Sequence, residues 1–461
     1  MPVDHWAVGG NEWSDTVNNV LNWLGEGTGR PLGFSFVDED GGMIVSRGVT
    51  TLELASELGY MKLPPSLVRL SANVPVVNAK RAAALVALPD LRFLEVNTRG
   101  LRIGPENSGE IQRQKDRIGW GAQLAAKRDL AVFMRGSLPK GMLRALAPSC
   151  NIVGLDKVSP LDLEAVGLMS KMEGLRRLRA SEVDIDGVRA LAKLSGLRIL
   201  DISVDSSHLG PLGAVTSGLD SLTLHLDAAE QERNLSNVSA LEGSALRQLT
   251  LAEGSLADHG RPIRLGPHLR SLSLSGADLE RLVLPDGLQE LSISSPTNPR
   301  TFAQALEPVS RSLRRLRLHE GAVPDPTIYA ALGRLQSLYE LEIVHGGAPS
   351  GANEVFRHLN TLPGLVSLTI GGKHLSDAGL AMMPRWPRMG ALDLRGSRVS
   401  NAGIASLPPL PELRVLKLAG TRVTAAVVPL LVRRFPLLAH LDLTGVKLNE
   451  GAVKSLRPLK H

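Results

Sequence analysis

The chain has 461 residues, 43% hydrophobic and 21% charged, which excludes disorder as its main state, and its 46 Gly and 29 Pro follow no G-X-Y period. The longest uninterrupted apolar run, Ala82 to Leu88, is far below the roughly 18 to 20 residues of a membrane span, and no basic-then-apolar leader opens the sequence. Net charge is +6, but residues 1–48 hold two arginines against seven acids, so the remainder carries +11 spread without any Lys/Arg block, and nucleic acid is not the expected partner. Aromatics are only 3%, so Leu, Val, Ile and Ala must fill the core, and the single cysteine, Cys150, fits a chain made in a reducing cytoplasm.

Residues 11–24 place Trp13, Val17, Val20, Leu21 and Leu24 on one helical face. Gly33–Val37 and Met43–Ser46 then flank Asp38-Glu39-Asp40-Gly41-Gly42 as a hairpin would. Residues 1–48 are therefore expected to form an N-terminal capping segment, helix plus hairpin, and three of the five Trp (Trp6, Trp13, Trp23) supply its bulk. Gly25-Glu26-Gly27-Thr28-Gly29 follows a helix rather than a strand, so it reads as a loop and not as a phosphate cradle.

From Val49 onward the chain repeats. The pattern Leu-x-x-Leu-x-Leu recurs in degraded form at Val49/Leu52/Leu54, Leu67/Leu70/Ala72, Leu91/Leu94/Val96, Lys127/Leu130/Val132, Cys150/Val153/Leu155 and Leu175/Leu178/Ala180. Clear copies follow, beginning at Leu197, Leu219, Leu246, Leu269, Leu288, Leu313, Leu338, Leu365, Met389, Leu413 and Leu438, which makes about 17 copies at a mean spacing near 24 residues. The second and third apolar places alternate with polar residues, which predicts a short strand with one buried face. In the last copies Ser376, Ser400, Thr424 and Asn449 stand before apolar runs as helix N-caps, and Gly276, Gly372, Gly396, Gly420 and Gly445 stand where the chain must turn tightly after each strand. No single unit can bury its leucines alone, so stacked units must share one core. The 36-residue interval between the copies at Leu91 and Lys127 marks residues 97–126 as an insertion within a repeat domain spanning 49–461.

These residues resemble the leucine-rich-repeat family, and the carboxy-terminal copies resemble its bacterial V-T/S-D-A-G-L type of about 24 residues, found in bacterial effector proteins. The resemblance implies an α/β solenoid, a horseshoe with a parallel sheet on its concave side and helices on its convex side. The ninth place, often an asparagine that ladders between repeats in that family, holds Asp205, Asp227, Gly254, Ala277, Lys373, Ser397, Thr421 or Val446 here, so that ladder is absent.

No H-E-x-x-H, Walker loop, G-x-S-x-G or paired-cysteine spacing is present, so neither enzyme activity nor a metal or cofactor is expected. Cys150 is followed by Asn151 and Ile152 rather than forming a Cys-x-Asp nucleophile, Leu63-Pro64-Pro65-Ser66-Leu67 only faintly matches an F-box opening, and His440 with Asp442 lacks a nucleophile. The strand positions that alternate with the leucines remain, and they face outward. On them the expected partner-binding residues are Arg176, Arg179, Arg198, Asp201, Arg314, Arg317, His319, Tyr339, Glu342, Asp393 and Arg395, with Arg314, Arg317 and His319 beside Tyr339 as the densest group. Seventeen strands ~4.8 Å apart give an arc of roughly 80 Å, suited to a protein partner rather than a metabolite. The expected function is a protein-interaction scaffold, with a bacterial effector secreted into host cells without a cleavable signal as its narrower form. A substrate receptor of a ubiquitin-ligase complex and an intracellular enzyme inhibitor are the alternatives.

Overall fold

The computed structural model describes residues 7–8, 34–35, 44–45, 51–57, 63, 65–73, 79–97, 124, 126–138, 140–147, 149, 151–205, 210–226, 241, 244–252, 263–275, 282–294, 298–319, 326–344 and 353–456. The chain forms two compact units, Met1–Val204 and Asp205–His461. The helix expected over 11–24, Cys150 and most of the 97–126 insertion lie outside the described residues.

In the first unit the strands are β1 (Ala7–Val8), β2 (Phe34–Ser35), β3 (Ile44–Val45), β4 (Thr51–Glu57), β5 (Arg69–Asn73), β6 (Phe93–Asn97), β7 (Ala131–Arg135), β8 (Ile152–Val158), β9 (Arg177–Val183) and β10 (Ile199–Val204). Strands β4 to β10 pair in parallel with their neighbours in chain order, and β1 pairs in parallel with β4. Strands β2 and β3 pair antiparallel, Phe34 opposite Val45, where the hairpin was expected. Helices α1 (Ala79–Val86), α2 (Lys140–Leu146), α3 (Leu163–Met169) and α4 (Ile185–Ala190) connect these strands.

In the second unit the strands are β11 (Ser221–Leu226), β12 (Gln248–Ala252), β13 (Ile263–Arg264), β14 (Ser271–Ser275), β15 (Leu282–Val283), β16 (Glu290–Ser294), β17 (Arg315–His319), β18 (Glu340–Val344), β19 (Ser367–Gly371), β20 (Ala391–Asp393), β21 (Val415–Lys417) and β22 (His440–Asp442). All except β13 and β15 form one parallel ladder without a register shift, so Leu222, Leu249, Leu272, Leu291, Leu316, Leu341, Leu368, Leu392, Leu416 and Leu441 lie in a single row of partners. Nine of these ten are buried, each stabilising by about 1.5–3 kcal/mol against exposure, and Leu441 in the last strand is half-buried. The helices are α5 (Gly213–Thr216), α6 (Pro299–Ala305), α7 (Pro326–Leu332), α8 (Val355–His358), α9 (Asp377–Ala381), α10 (Asn401–Ser406), α11 (Val428–Arg434) and α12 (Glu450–Ser455). The architecture is that of an α/β leucine-rich-repeat solenoid, one strand per coil, with helices on the opposite side.

Two stretches depart from this pattern. Between Leu269 and Leu288 only 19 residues are available, too few for strand, helix and two turns, and the return side there carries the two-residue strand β15, paired in parallel with β13 of the preceding repeat. In the first unit two degraded copies shift. The buried set of β7 is Leu130/Val132/Met134, with Val132 opposite Leu94, rather than Lys127/Leu130/Val132. The buried set around β8 is Ile152/Leu155/Val158, with Leu155 opposite Leu178, rather than Cys150/Val153/Leu155. A bulge between Leu155 and Val158 brings Val158 into the last buried place. Lys157 adopts φ 62°, as Glu182 does at 52° in β9, and their carbonyls accept the amides of Leu138 and Leu161 at 3.1 and 3.2 Å.

Four of the five turn glycines behave as the sequence requires, Gly372, Gly396, Gly420 and Gly445 having φ of 104°, 70°, 68° and 87°, and Gly276 lies outside the described residues. Ser376, Ser400, Thr424 and Asn449 all hold extended N-cap conformations, the last two before a 3-10 turn at Ala425–Val427 and before α12.

Although the strand-side asparagine ladder is absent, another ladder ties the helical sides together. The amide and hydroxyl of Ser400 donate to the Asp377 carboxylate at 2.7 and 2.6 Å. Twenty-four residues earlier Asn353 accepts the Ser376 amide at 3.1 Å, and twenty-four later Asn401 accepts the Thr424 amide at 2.9 Å. The N-cap residues Ser376, Ser400 and Thr424 are thus each held by an Asn or Asp of the preceding repeat. Gly379 and Gly403 make room for it, because a Cβ at either place would overlap the side-chain oxygen of Asn353 or Asp377. The D-A-G-L and N-A-G-I sequences are therefore one device: an acceptor for the next coil, and two residues on, a glycine that admits the previous coil's acceptor.

Candidate strand-face interaction site

Along the regular strands before β22 the first, fourth and sixth places of the repeat are buried, and the residues between them line the opposite face. Parallel pairing then stacks equivalent places into columns. In the second unit one column reads Ser292, Arg317, Glu342, Thr369, Asp393, Lys417 and Asp442, and another reads Ser271, Glu290, Arg315, Glu340 and Ser367.

Opposite charges at adjacent places within each column, joined by Arg317 and Glu340 between the two, build a continuous network. Arg315 reaches Glu290 at 2.5 Å and Glu340 at 3.2 Å, while Arg317 reaches Glu340 at 3.0 Å and Glu342 at 3.3 Å. Cross-strand neighbours ~4.8 Å apart make this pairing unavoidable once the register is fixed. The arginine over the Tyr339 ring, 5.4 Å from its centroid, is Arg315 rather than Arg314. Arg314 is exposed, and His319 sits half-buried in register between Ser294 and Val344. Arg317 and Glu342 are thus brought together as the sequence pattern implies, but Glu290, Arg315 and Glu340 complete the group.

Farther along, Asp393 is only 7% exposed, which corrects its expected place as an outward contact residue. Its carboxylate lies under Arg395, accepting the Nε at 2.9 Å and pairing with a terminal nitrogen at 2.7 Å, and Lys417 stands 3.7 Å away. The hydrogen bond to Asp393 raises the Arg395 pKa above its ordinary value. At Asp442 the hydroxyl and then the amide of Thr444 donate to the carboxylate and hold its pKa below the usual 3.8. Arg395 is exposed over 52% of its side chain and Asp393 over 10%.

In the first unit Arg179 and Asp201 are brought together at 3.3 Å, with Asp156 at 3.8 Å on the other side of the same guanidinium. Arg176 and Arg198 do something else. Arg176 donates to the carbonyls of Glu173 and Leu175 at 2.9 and 3.1 Å, and Arg198 to that of Leu197 at 3.3 Å. Arg92 and Arg270 repeat the motif on Pro89 and Leu91, and on Pro267 and Leu269. An arginine after the first leucine closes the turn that leads into its own strand. Its guanidinium also covers the next repeat: a Cβ at Gly196 would overlap Arg176, and one at Gly287 would overlap Arg270.

The expected set omits Arg69, Phe93 and Phe133. The structure places Phe93 and Phe133 half-buried on the strand face of the first unit, with the Arg69 guanidinium 4.2 Å from the Phe93 centroid and that of Arg177 5.6 Å from the Phe133 centroid. Phe93 sits at the third place of a correctly aligned copy, so the rule that picked the other residues also identifies it. Phe133 belongs to the copy whose register differs by two.

No family model and no curated protein matches the chain. Among solved structures it is similar to an internalin from Listeria monocytogenes str. 4b F2365, at 15% identity over 88% of this chain and 87% of that chain, with a TM-score of 0.27. It is also similar to a chain of the mouse RP105/MD-1 complex, at 14% identity over 93% and 82%, with a TM-score of 0.42. The fold itself rests on the strand register and the buried leucines.

Among the described residues no group of three or more His, Cys, Asp or Glu could hold a metal ion, and no helix is long and apolar enough to cross a membrane. A shallow pocket on the helical side, lined by Ala303, Leu306, Glu307, Ser310, Ala331 and Arg334, offers only the 3.7 Å pair of Glu307 with Arg334.

Proposed function

We propose that the chain is a non-enzymatic protein-interaction scaffold that contacts a protein partner on its strand-lined face. The observation that carries this reading is the pairing of outward side chains in fixed columns, above all the Glu290–Arg315–Glu340–Arg317–Glu342 network. Long charged side chains held in one geometry lose less rotamer freedom on binding, so a partner of matching pattern gains affinity and specificity from them. Because acids alternate with arginines, the surface suits the mixed charges of a protein better than the uniform charge of a nucleic acid. Delivery into a host cell as a bacterial effector is the narrower form, supported by the resemblance of the S-D-A-G-L and S-N-A-G-I copies.

The test is hydroxyl-radical footprinting of the full chain, free and with a partner captured from lysate. Protection confined to outward strand residues such as Arg317, Tyr339 and Arg395 is the expected result. Protection on α6, α7 and α8 with none on the strands overturns the reading.

A further inference from the structure

We propose that the strand face of the unit Met1–Val204 grips an extended acidic protein segment between two arginine-capped phenylalanine rings, Phe93 under Arg69 and Phe133 under Arg177. The inference rests on the protein-binding reading and says where and what the first unit binds.

Aromatic residues are scarce, and their placement is informative. Phe302, Phe356, Phe435 and Trp386 are fully buried, as a chain with 3% aromatics needs. Phe93 and Phe133 instead stand among the outward residues of β6 and β7, where the core gains little from them. Phe133 is also fixed in place. Its ring lies over Gly154, its register partner in β8, and a Cβ at that position would overlap two ring carbons. A ring held flat in advance is a low-entropy anchor.

The arginines supply the sign of the partner. Two other guanidiniums on this face are neutralised, Arg135 by Glu95 at 3.0 Å and Arg179 by Asp156 and Asp201. Arg69 and Arg177 have no ion-pair partner among the described residues, and both are exposed. Stacking on a ring uses only the face of a guanidinium, and its edge N–H groups remain free in the planar fork that a carboxylate matches. Each Arg–Phe pair is thus a preset carboxylate site beside an apolar platform. Val68, 40% exposed, and Ile199, 37% exposed, extend that platform at either end.

Spacing gives the length of the segment. Phe93 and Phe133 stand on the adjacent strands β6 and β7, and Phe93 faces Ala131, so the two ring positions, each with its guanidinium stacked on it, lie roughly 8 Å apart at ~4.8 Å per strand step and ~3.3 Å per residue. About three residues of extended chain span that distance, so the fitting segment has two acids some three residues apart with apolar side chains between them. A phosphodiester strand, charged at every step, fits less well than a segment with two acids, since Glu95, Asp156 and Asp201 lie along its path.

The experiment is selection of a random dodecapeptide display library on the full chain, followed by anisotropy with the synthesised consensus peptide. The expected consensus has the acid–apolar–acid pattern. Its affinity falls at least tenfold in Arg69→Glu/Arg177→Glu and in Phe133→Ala, falls with added salt, and is unchanged in Arg317→Glu/Glu342→Lys. Gly154→Ala, checked for an unchanged melting curve, weakens binding by displacing the ring without removing a contact. A consensus lacking acids, acidic peptides indifferent to Arg69→Glu/Arg177→Glu, or a ten-nucleotide oligothymidylate binding more tightly than the peptide overturns the proposal. Loss only in Arg317→Glu/Glu342→Lys overturns it while leaving the strand-face reading intact. No enrichment, or peptides indifferent to both charge-reversed variants, overturns both.

Discussion

Substituting Gly403 by alanine should destabilise the protein, and the cost should largely vanish if Asp377 is replaced first. A Cβ at 403 would overlap the Asp377 Oδ1 and lie 3.0 Å from its Cγ, so in the native sequence the carboxylate must swing away from Ser400. That forfeits two charge-assisted hydrogen bonds, from the Ser400 amide at 2.7 Å and its hydroxyl at 2.6 Å, in a part-buried setting. Such a loss is worth about 2 kcal/mol, partly offset by ~1 kcal/mol of helix propensity gained on replacing glycine within α10. Asp377→Ala alone removes the same bonds and should cost about 2 kcal/mol. In Asp377→Ala/Gly403→Ala the oxygen is gone, the nearest remaining atom is the Asp377 Cα at 3.2 Å, and helix propensity favours alanine. The double variant should therefore be no less stable than Asp377→Ala, giving a coupling on the order of 2 kcal/mol instead of additivity. Urea unfolding of the full chain, compared at fixed probe and temperature, measures the cycle. Hydrogen exchange at the Ser400 amide locates the effect, since each repeat contacts chiefly its neighbours. Additive costs within ~0.5 kcal/mol would refute the idea that the glycine exists to admit the preceding coil's carboxylate.

Other outcomes follow from the same geometry. Gly396→Ala places a side chain at φ 70° with open space around it, so the cost should be the backbone term alone, about 1–2 kcal/mol by urea midpoint. Glu340→Gln removes the acid shared by Arg315 and Arg317, both about two-fifths exposed, and should lower stability by no more than ~1 kcal/mol, an effect that shrinks in 1 M salt. Acid should loosen the first unit around α2 and α3. The Lys140 ammonium, then the Ala165 amide, hold the Asp162 pKa below 3.8, and Arg144, then Lys140, hold that of Glu164 below 4.5. A lowered folded-state pKa contributes stability that is present above the unfolded value and lost as pH falls through the folded one. Melting temperature should therefore drop as pH falls below about 4.5 and onward past 3.8, and this component of the drop should be reduced in Asp162→Asn/Glu164→Gln.

The sequence by itself determined the coil. Leucines at a 24-residue beat can be buried only by stacking, and the row from Leu222 to Leu441 stacks in the register that beat dictates. Turn glycines and helix N-caps were legible for the same reason: each is a local solution to a backbone demand that only a few residue types meet. Register was lost in the copies at Lys127 and Cys150, where two apolar patterns offset by two residues fit the same stretch, and pairing of Val132 with Leu94 and of Leu155 with Leu178 decides between them. The outward face was legible as a list of residues but not as a surface. Whether an arginine closes its own turn, as Arg176 does, pairs across strands, as Arg317 does, or stacks on a ring, as Arg69 does, depends on what the neighbouring coil places about 5 Å away. Those neighbours lie some 24 residues distant in the chain, so only the tertiary structure decides which charges are spent inside the protein and which remain for a partner.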